Sequence, residues 1–119
     1  MKIRKEYTCP LEIIHDILKG KWKTVILWQI NHLKKVSLSQ LEKDIKGISQ
    51  KMLLEQLREL REFGLVDKIN YEGYPLRVEY FLTEGKGEKI IEALEIMQKI
   101  GREYIEEQKK KNTDKKVGN

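Results

Sequence analysis

The stretch "GISQKMLLEQLRELREFGLV", Gly47 to Val66, decides how the rest of the chain is read. At 100° per residue, Leu53, Leu57 and Leu60 cluster within about 60° of arc, which makes one side of a helix apolar and meant for a core. Ser49 is a natural N-cap, and Ile48 before it with Leu53 after it fits a hydrophobic staple. Gly64 stands where a left-handed residue ends a helix, with Leu65 placed to reach back to Leu60 in a Schellman closure. The predicted helix therefore runs from Gln50 to Phe63. Its opposite side carries Lys51, Glu55, Arg58 and Glu62, with Leu54 and Arg61 on one flank. Lys51, Arg58 and Arg61 balance Glu55, Glu59 and Glu62, so this helix has no net charge. Standing alone, such a face would be read as a solvated surface.

Its neighbours change that reading. Upstream, "SLSQLEKDIKG" begins with Ser37 and Gln40 in the S-x-x-Q spacing of a capping box and carries a short stripe of Leu38, Leu41 and Ile45. Two helices joined by a tight turn form a helix-turn-helix, whose second member enters the major groove of DNA. Downstream of Gly64 the period becomes two: "LVDKINYE" and "RVEYFL" read as strands joined at Gly73, Tyr74 and Pro75. A hairpin in that place is a wing. The predicted fold is mainly α with a small β-hairpin wing (α+β), a winged helix-turn-helix whose terminal helices form a dimer interface.

The flanking segments complete it. After "YTCP", Pro10 suits a first helical turn, and Leu11, Ile14, Ile17 and Leu18 predict a short helix with one buried stripe ending at Gly20. "KWKTVILWQINHL", Lys21 to Leu33, is apolar on nearly every side and belongs at the centre of the fold; Lys34 and Lys35 mark its exit. Thr83 caps a long final helix with Ile90, Ala93, Leu94, Met97, Ile100, Tyr104 and Ile105 along one side. That stripe is longer than one small domain covers. A homodimer contact is expected from Ile90, Leu94, Met97, Ile100 and Tyr104, joined by Ile14 on the first helix. "KKKNTDKKVGN" has no apolar stripe and is expected to be disordered, giving one domain over 1–108 and a basic tail over 109–119.

Composition narrows the function. The chain has 119 residues and a net charge of +5, but Met1 to Lys51 holds 11 basic and 5 acidic residues whereas Met52 to Gln108 holds 8 and 13. Any nucleic-acid surface should therefore draw on the first half. No run of about 18 apolar residues occurs, so no membrane partner is expected, and the N-terminus lacks the apolar stretch of a signal peptide; a cytoplasmic location is expected. One cysteine and the two distant histidines, His15 and His32, do not make a zinc site. No glycine-rich phosphate loop, carboxylate pair or nucleophile elbow is present, so no enzyme, cofactor or metal is expected.

The reading that follows is a protein that binds double-stranded DNA. Ser49, Gln50, Lys51, Leu54 and Arg58 are the candidates for reading base edges. Ser37, Ser39 and Gln40 at a helix N-terminus are candidates for phosphates, with charge from Lys21, Lys23, Lys34, Lys35, Lys43 and Lys46 and, on the wing, Lys68 and Arg77. The alternative is a winged helix used only for protein contact. Neither operator nor small-molecule effector is legible.

At this point the residues resemble a known family. "CPLEIIHDILKGKWKTVILWQI" resembles the cysteine-proline opening and "GGKWKxxIL" segment of the HxlR-type regulators; "KGISQKMLLEQLRELREFGLV" is similar to their "GISQKML…QLRELExDGLV" core, and "YPLRVEYFLTE" to their "PPRVEYSLTE" wing. The match spans roughly Cys9 to Glu84. It implies a dimeric winged-helix transcription regulator that reads paired half-sites. One departure stands out: the family's T-x-x-G after the wing is here Thr83 followed by "EGKG", which leaves the register of the last helix open. In some members the cysteine before proline senses oxidants or electrophiles. Cys9, near a helix start with Arg4 and Lys5 close in sequence, has chemistry that fits; a small buried residue at a helix start is the other reading.

Overall fold

The computed structural model describes residue 4 and residues 6–117, with side chains described as far as Thr113. In chain order the elements are α1 (Leu11–Ile17), α2 (Lys23–Leu33), β1 (Lys35–Ser37), α3 (Leu38–Asp44), α4 (Gln50–Glu62), β2 (Val66–Tyr71), β3 (Arg77–Leu82) and α5 (Lys86–Val117). The strands form an antiparallel sheet in the order β1-β3-β2. With α3 and α4 as the helix-turn-helix and β2 and β3 as the wing, this is the winged helix-turn-helix that the sequence predicts.

Helix α4 is bounded by the chemistry read from its ends. Ser49 accepts the Met52 N–H on its hydroxyl at 3.1 Å. At the other end Leu65 N–H donates to Leu60 C=O at 3.0 Å and Gly64 N–H to Arg61 C=O at 3.0 Å, the two bonds of a Schellman closure. Gly64 takes φ +77, a conformation costly for any residue with a Cβ. Leu53, Leu57 and Leu60 are essentially without solvent contact.

Helix α2 is central, touching α3, α4, α5, β1 and β3. Ile26, Leu27 and Ile30 are its buried side, meeting Leu41, Ile45 and Ile48 from the helix-turn-helix and Leu94 from α5. It is not covered all round, since Val25 and Leu33 remain exposed. Strand β1 is not anticipated by the sequence reading. The chain leaves α2 through Lys34 at φ +68, then Val36 pairs with Tyr80 and is buried. Three residues are too few to display a period of two.

Two further differences concern the ends. In α1 no residue is buried, although Ile17 and Leu18 pack partly against the core; the expected buried stripe is open, with Leu11 and Ile14 exposed. Where a disordered tail was expected from Lys109, α5 continues to Val117. Glu106 and Glu107 stand four residues before Lys110 and Lys111, a spacing that supports a helix without any apolar stripe, and Thr113 bonds back to the Lys109 carbonyl at 3.0 Å. Residues 118–119 lie outside the described part. Among the described residues no helix is long and apolar enough to cross a membrane.

The start of α5 is held by one hydroxyl. Thr83 Oγ1 donates to Gly64 C=O at 2.6 Å and accepts the Gly87 N–H at 3.2 Å, while Thr83 N–H donates to Leu65 C=O at 3.1 Å. A Cβ on Gly87 would meet the Leu65 carbonyl oxygen at 2.5 Å. This settles the register left open by the departure from T-x-x-G: the required glycine is Gly87, one position later, packed beneath the end of α4.

Candidate nucleic-acid interface

The polar side of α4 is free. Ser49, Gln50, Lys51, Leu54 and Arg58 are all exposed, Leu54 at 44%. Gln50 and Lys51 sit at the helix N-terminus, and Lys51, Leu54 and Arg58 recur at i, i+3, i+7 along one face. Arg58 Nη1 lies 2.7 Å from Glu62 Oε1 in an exposed i,i+4 pair, of a kind worth about 0.3–0.5 kcal/mol. That pairing is weak enough to exchange for another acceptor.

Around this face the predicted phosphate group divides. Ser39 and Gln40 are exposed at the start of α3. Ser37 is partly occupied: its hydroxyl accepts the Gln40 N–H at 3.2 Å and lies 3.2 Å from Ser39 Oγ. The reciprocal half of the capping box is not formed, because Gln40 Nε2 instead donates to Asp44 Oδ1 at 2.9 Å. Lys21 is exposed with its ammonium 4.5 Å from the centre of the Trp22 ring. On the wing, Arg77 is exposed and lies 4.3 Å over the Tyr71 ring, while Lys68 is half-buried on the Tyr80 side of the hairpin. Hydrogen bonding to the Glu79 carboxylate pushes the Tyr71 phenol up from its ordinary value. Beyond the strands, Tyr74 and Leu76 project almost fully into solvent at the wing tip.

Lys23 leaves the group of phosphate candidates. It is 4% exposed, its ammonium donating to Glu59 Oε2 at 2.5 Å and to the Lys19 carbonyl at 3.2 Å. Glu59 is the partner that sequence reasoning did not single out; 36 residues separate the two, and no local spacing signals the pair.

The predicted dimer residues also divide. Leu94 is buried in the subunit core, and Ile90 packs partly against that core. Ile14, Met97, Ile100 and Tyr104 are exposed, and so are Leu11, Ile96 and Ile105. A cleft of about 290 Å³ between α2 and α5, lined by Val25, Trp28, Leu94 and Met97 with Thr24, Gln29 and Gln98, opens onto the same apolar surface.

Cys9 is a free, exposed thiol just before α1, not a buried one. Arg4 is engaged with Asp16 at 2.8 Å, and Lys5 lies outside the described residues. The charge beside Cys9 is the Glu12 carboxylate, which accepts the Thr8 N–H at 2.5 Å and the Cys9 N–H at 3.4 Å.

A short capped helix, a tight turn, a second helix with a free polar face and a hairpin directly after it define the winged helix-turn-helix class. Residues 17–109 match the HxlR-like helix-turn-helix family, and the chain belongs to that family of transcriptional regulators. It is 36% identical over 100 residues to the regulatory protein MalR of Fusobacterium mortiferum, covering 84% of this chain and 93% of that one. A MarR-family transcriptional regulator from Porphyromonas gingivalis W83 superposes with a TM-score of 0.76 at 36% identity, over 86% of this chain and 98% of that one. The redox regulator HypR in its reduced form superposes with a TM-score of 0.75 at 32% identity, over 80% and 92% of the two chains.

Proposed function

We propose that two copies of this chain bind duplex DNA together, each placing α4 in the major groove and its wing against the flanking backbone. The observation that carries this reading is the free polar face of α4. A helix with no net charge is poorly suited to gripping phosphate alone, whereas amide, ammonium and guanidinium groups on one face suit base edges. Affinity then comes from its surroundings: Ser39 and Gln40 at the start of α3, Lys21 and the other exposed lysines of the first half, and Arg77 on the wing. The exposed apolar side chains of α1 and α5, Ile14, Met97, Ile100 and Tyr104, form the contact between copies, which explains why a family member of this size leaves them uncovered.

Selection of bound duplexes from a random pool tests both parts. The expected product has two-fold symmetry, with half-sites about 34–36 Å apart or a multiple of that spacing, and binding weakens steeply with salt. A protein that retains no duplex at low salt is a winged helix used for protein contact, and the reading fails.

The similarity to a redox regulator brings Cys9 into this reading. An exposed thiol next to α1 can be oxidised without unfolding the subunit, and a disulfide or mixed disulfide there would disturb the copy-to-copy contact through Leu11 and Ile14. Treatment with diamide or peroxide is expected to change affinity for the selected duplex in the wild type but not in Cys9→Ser. Equal affinities before and after treatment remove Cys9 from the mechanism.

A further inference from the structure

Among the described residues Lys23 is the one buried charged side chain, and it joins three segments. Its backbone belongs to the first turn of α2; its ammonium reaches the Lys19 carbonyl, just beyond α1, and the Glu59 carboxylate on α4. At 100° per residue Glu59 lies on the flank of α4 opposite Leu54 and Arg61. Gln56, one turn earlier, lines a cleft together with Lys19, Lys23 and Glu59, but its Nε2 reaches only Met52 Sδ at 3.5 Å and its Oε1 has no partner. Among the described residues, Lys23 to Glu59 is therefore the polar tie between α4 and the first two helices.

The leucine side of α4 holds the helix to the core through burial whose driving force is non-directional, with Met52 and Phe63 packed at its margins. A charge-assisted hydrogen bond from a buried ammonium is short and directional. A recognition constellation needs its groups held to about 0.5 Å and 10–20°, and a directional bond on the flank of α4 adds to what packing supplies.

We propose that Lys23 and Glu59 are a positioning pair: they set the rotation of α4 so that Gln50, Lys51, Leu54 and Arg58 meet the bases in register, and Lys23 itself touches no phosphate. The inference rests on the DNA-reading function above. It assigns the second lysine of "KWK" to specificity, where its charge and its place in the basic half assign it to affinity.

The test uses the full chain, the duplex selected by the wild type, a random duplex, and the variants Lys23→Met, Lys23→Arg, Glu59→Gln and Lys23→Met with Glu59→Gln. Lys23→Met and Glu59→Gln are each expected to lower affinity for the selected duplex about tenfold and to leave the random duplex within about twofold. The dependence on salt stays unchanged, the double variant is no worse than Lys23→Met, and Lys23→Arg recovers most of the loss. If Lys23→Met weakens both duplexes alike and reduces the salt slope by about 0.9, Lys23 is a phosphate contact and the proposal is overturned. An unchanged ratio of selected to random affinity beside a lowered thermal midpoint overturns it equally. Should Lys23→Met not fold, Glu59→Gln, whose side chain is 37% exposed, makes the same comparison. Should the wild type select no duplex, the DNA reading fails, and amide exchange judges the pair separately. Faster exchange along α4 in Glu59→Gln at equal global stability supports the tie, and unchanged rates overturn it.

Discussion

Helices α4 and α5 both turn one side to the core and another to solvent, but what they show the solvent is opposite. The outer side of α4 is polar and electrically balanced, with Leu54 as its single large apolar residue. Past Leu94, α5 leaves the body and exposes Ile96, Met97, Ile100, Tyr104 and Ile105, with Met97 at 58% and Tyr104 at 66%. Exposure alone therefore does not identify a function; the chemistry of the exposed face does. A balanced polar face suits a hydrated groove whose edges carry donors and acceptors, whereas an apolar face of this size calls for another protein surface. On the proposed function, the surface that reads DNA and the surface that pairs with a second copy lie on different helices.

The sharpest way to break this comparison is to make the outer face of α5 resemble that of α4. Met97→Glu with Ile100→Glu removes two apolar side chains, each worth about 1.5–3 kcal/mol when buried, so the dimer constant is expected to weaken by about a hundredfold or more. Sedimentation should then show a folded monomer, because both side chains are about half exposed on the subunit surface. The two sides of α4 are compared next. Leu57→Ala is expected to cost about 2–5 kcal/mol in denaturant unfolding, while Leu54→Ala stays within about 0.5 kcal/mol. Equal losses would mean that Leu54 is also structural. The smallest effect sharpens the polar face itself: Lys51→Ala should leave unfolding unchanged and reduce affinity for the selected duplex by about 1–3 kcal/mol, relaxing preference at one position if it contacts a base. A uniform loss across sequences would assign Lys51 to phosphate.

How much of this was legible before the fold was known depends on how local each signal is. Ser49, Gly64 and the three leucines define α4 because caps and periodicity act within a few residues. The hairpin is legible for the same reason, through alternation on both sides of Gly73 to Pro75. Strand β1 is not, since three residues between a lysine pair and a helix cap acquire their extended form only by pairing with β3. The stripe on α1 looks like core in sequence because periodicity records which residues are apolar and not what covers them; Leu11 and Ile14 are exposed on the subunit. Lys23 is the instructive case. Its charge and its place in the basic half argue for phosphate, and only the arrival of Glu59 from another helix reveals a buried ammonium held by a half-exposed carboxylate. At the far end, Lys109 to Val117 lacks an apolar stripe, and its helix rests on spacing between charges and on continuity with the turns before it.

The Thr83 hydroxyl, which joins the end of α4 to the start of α5, has a consequence for the geometry of any DNA target. If the outer part of α5 clasps a second copy and α4 reads the bases, each reading helix is joined to that clasp through one short bridge with Gly87 packed under it. The pair then works as a caliper with a set opening. Each base pair inserted between half-sites moves them about 3.4 Å apart and turns one relative to the other, and a caliper of this kind cannot follow. Spacing would be discriminated as strictly as base identity, at positions that no side chain touches.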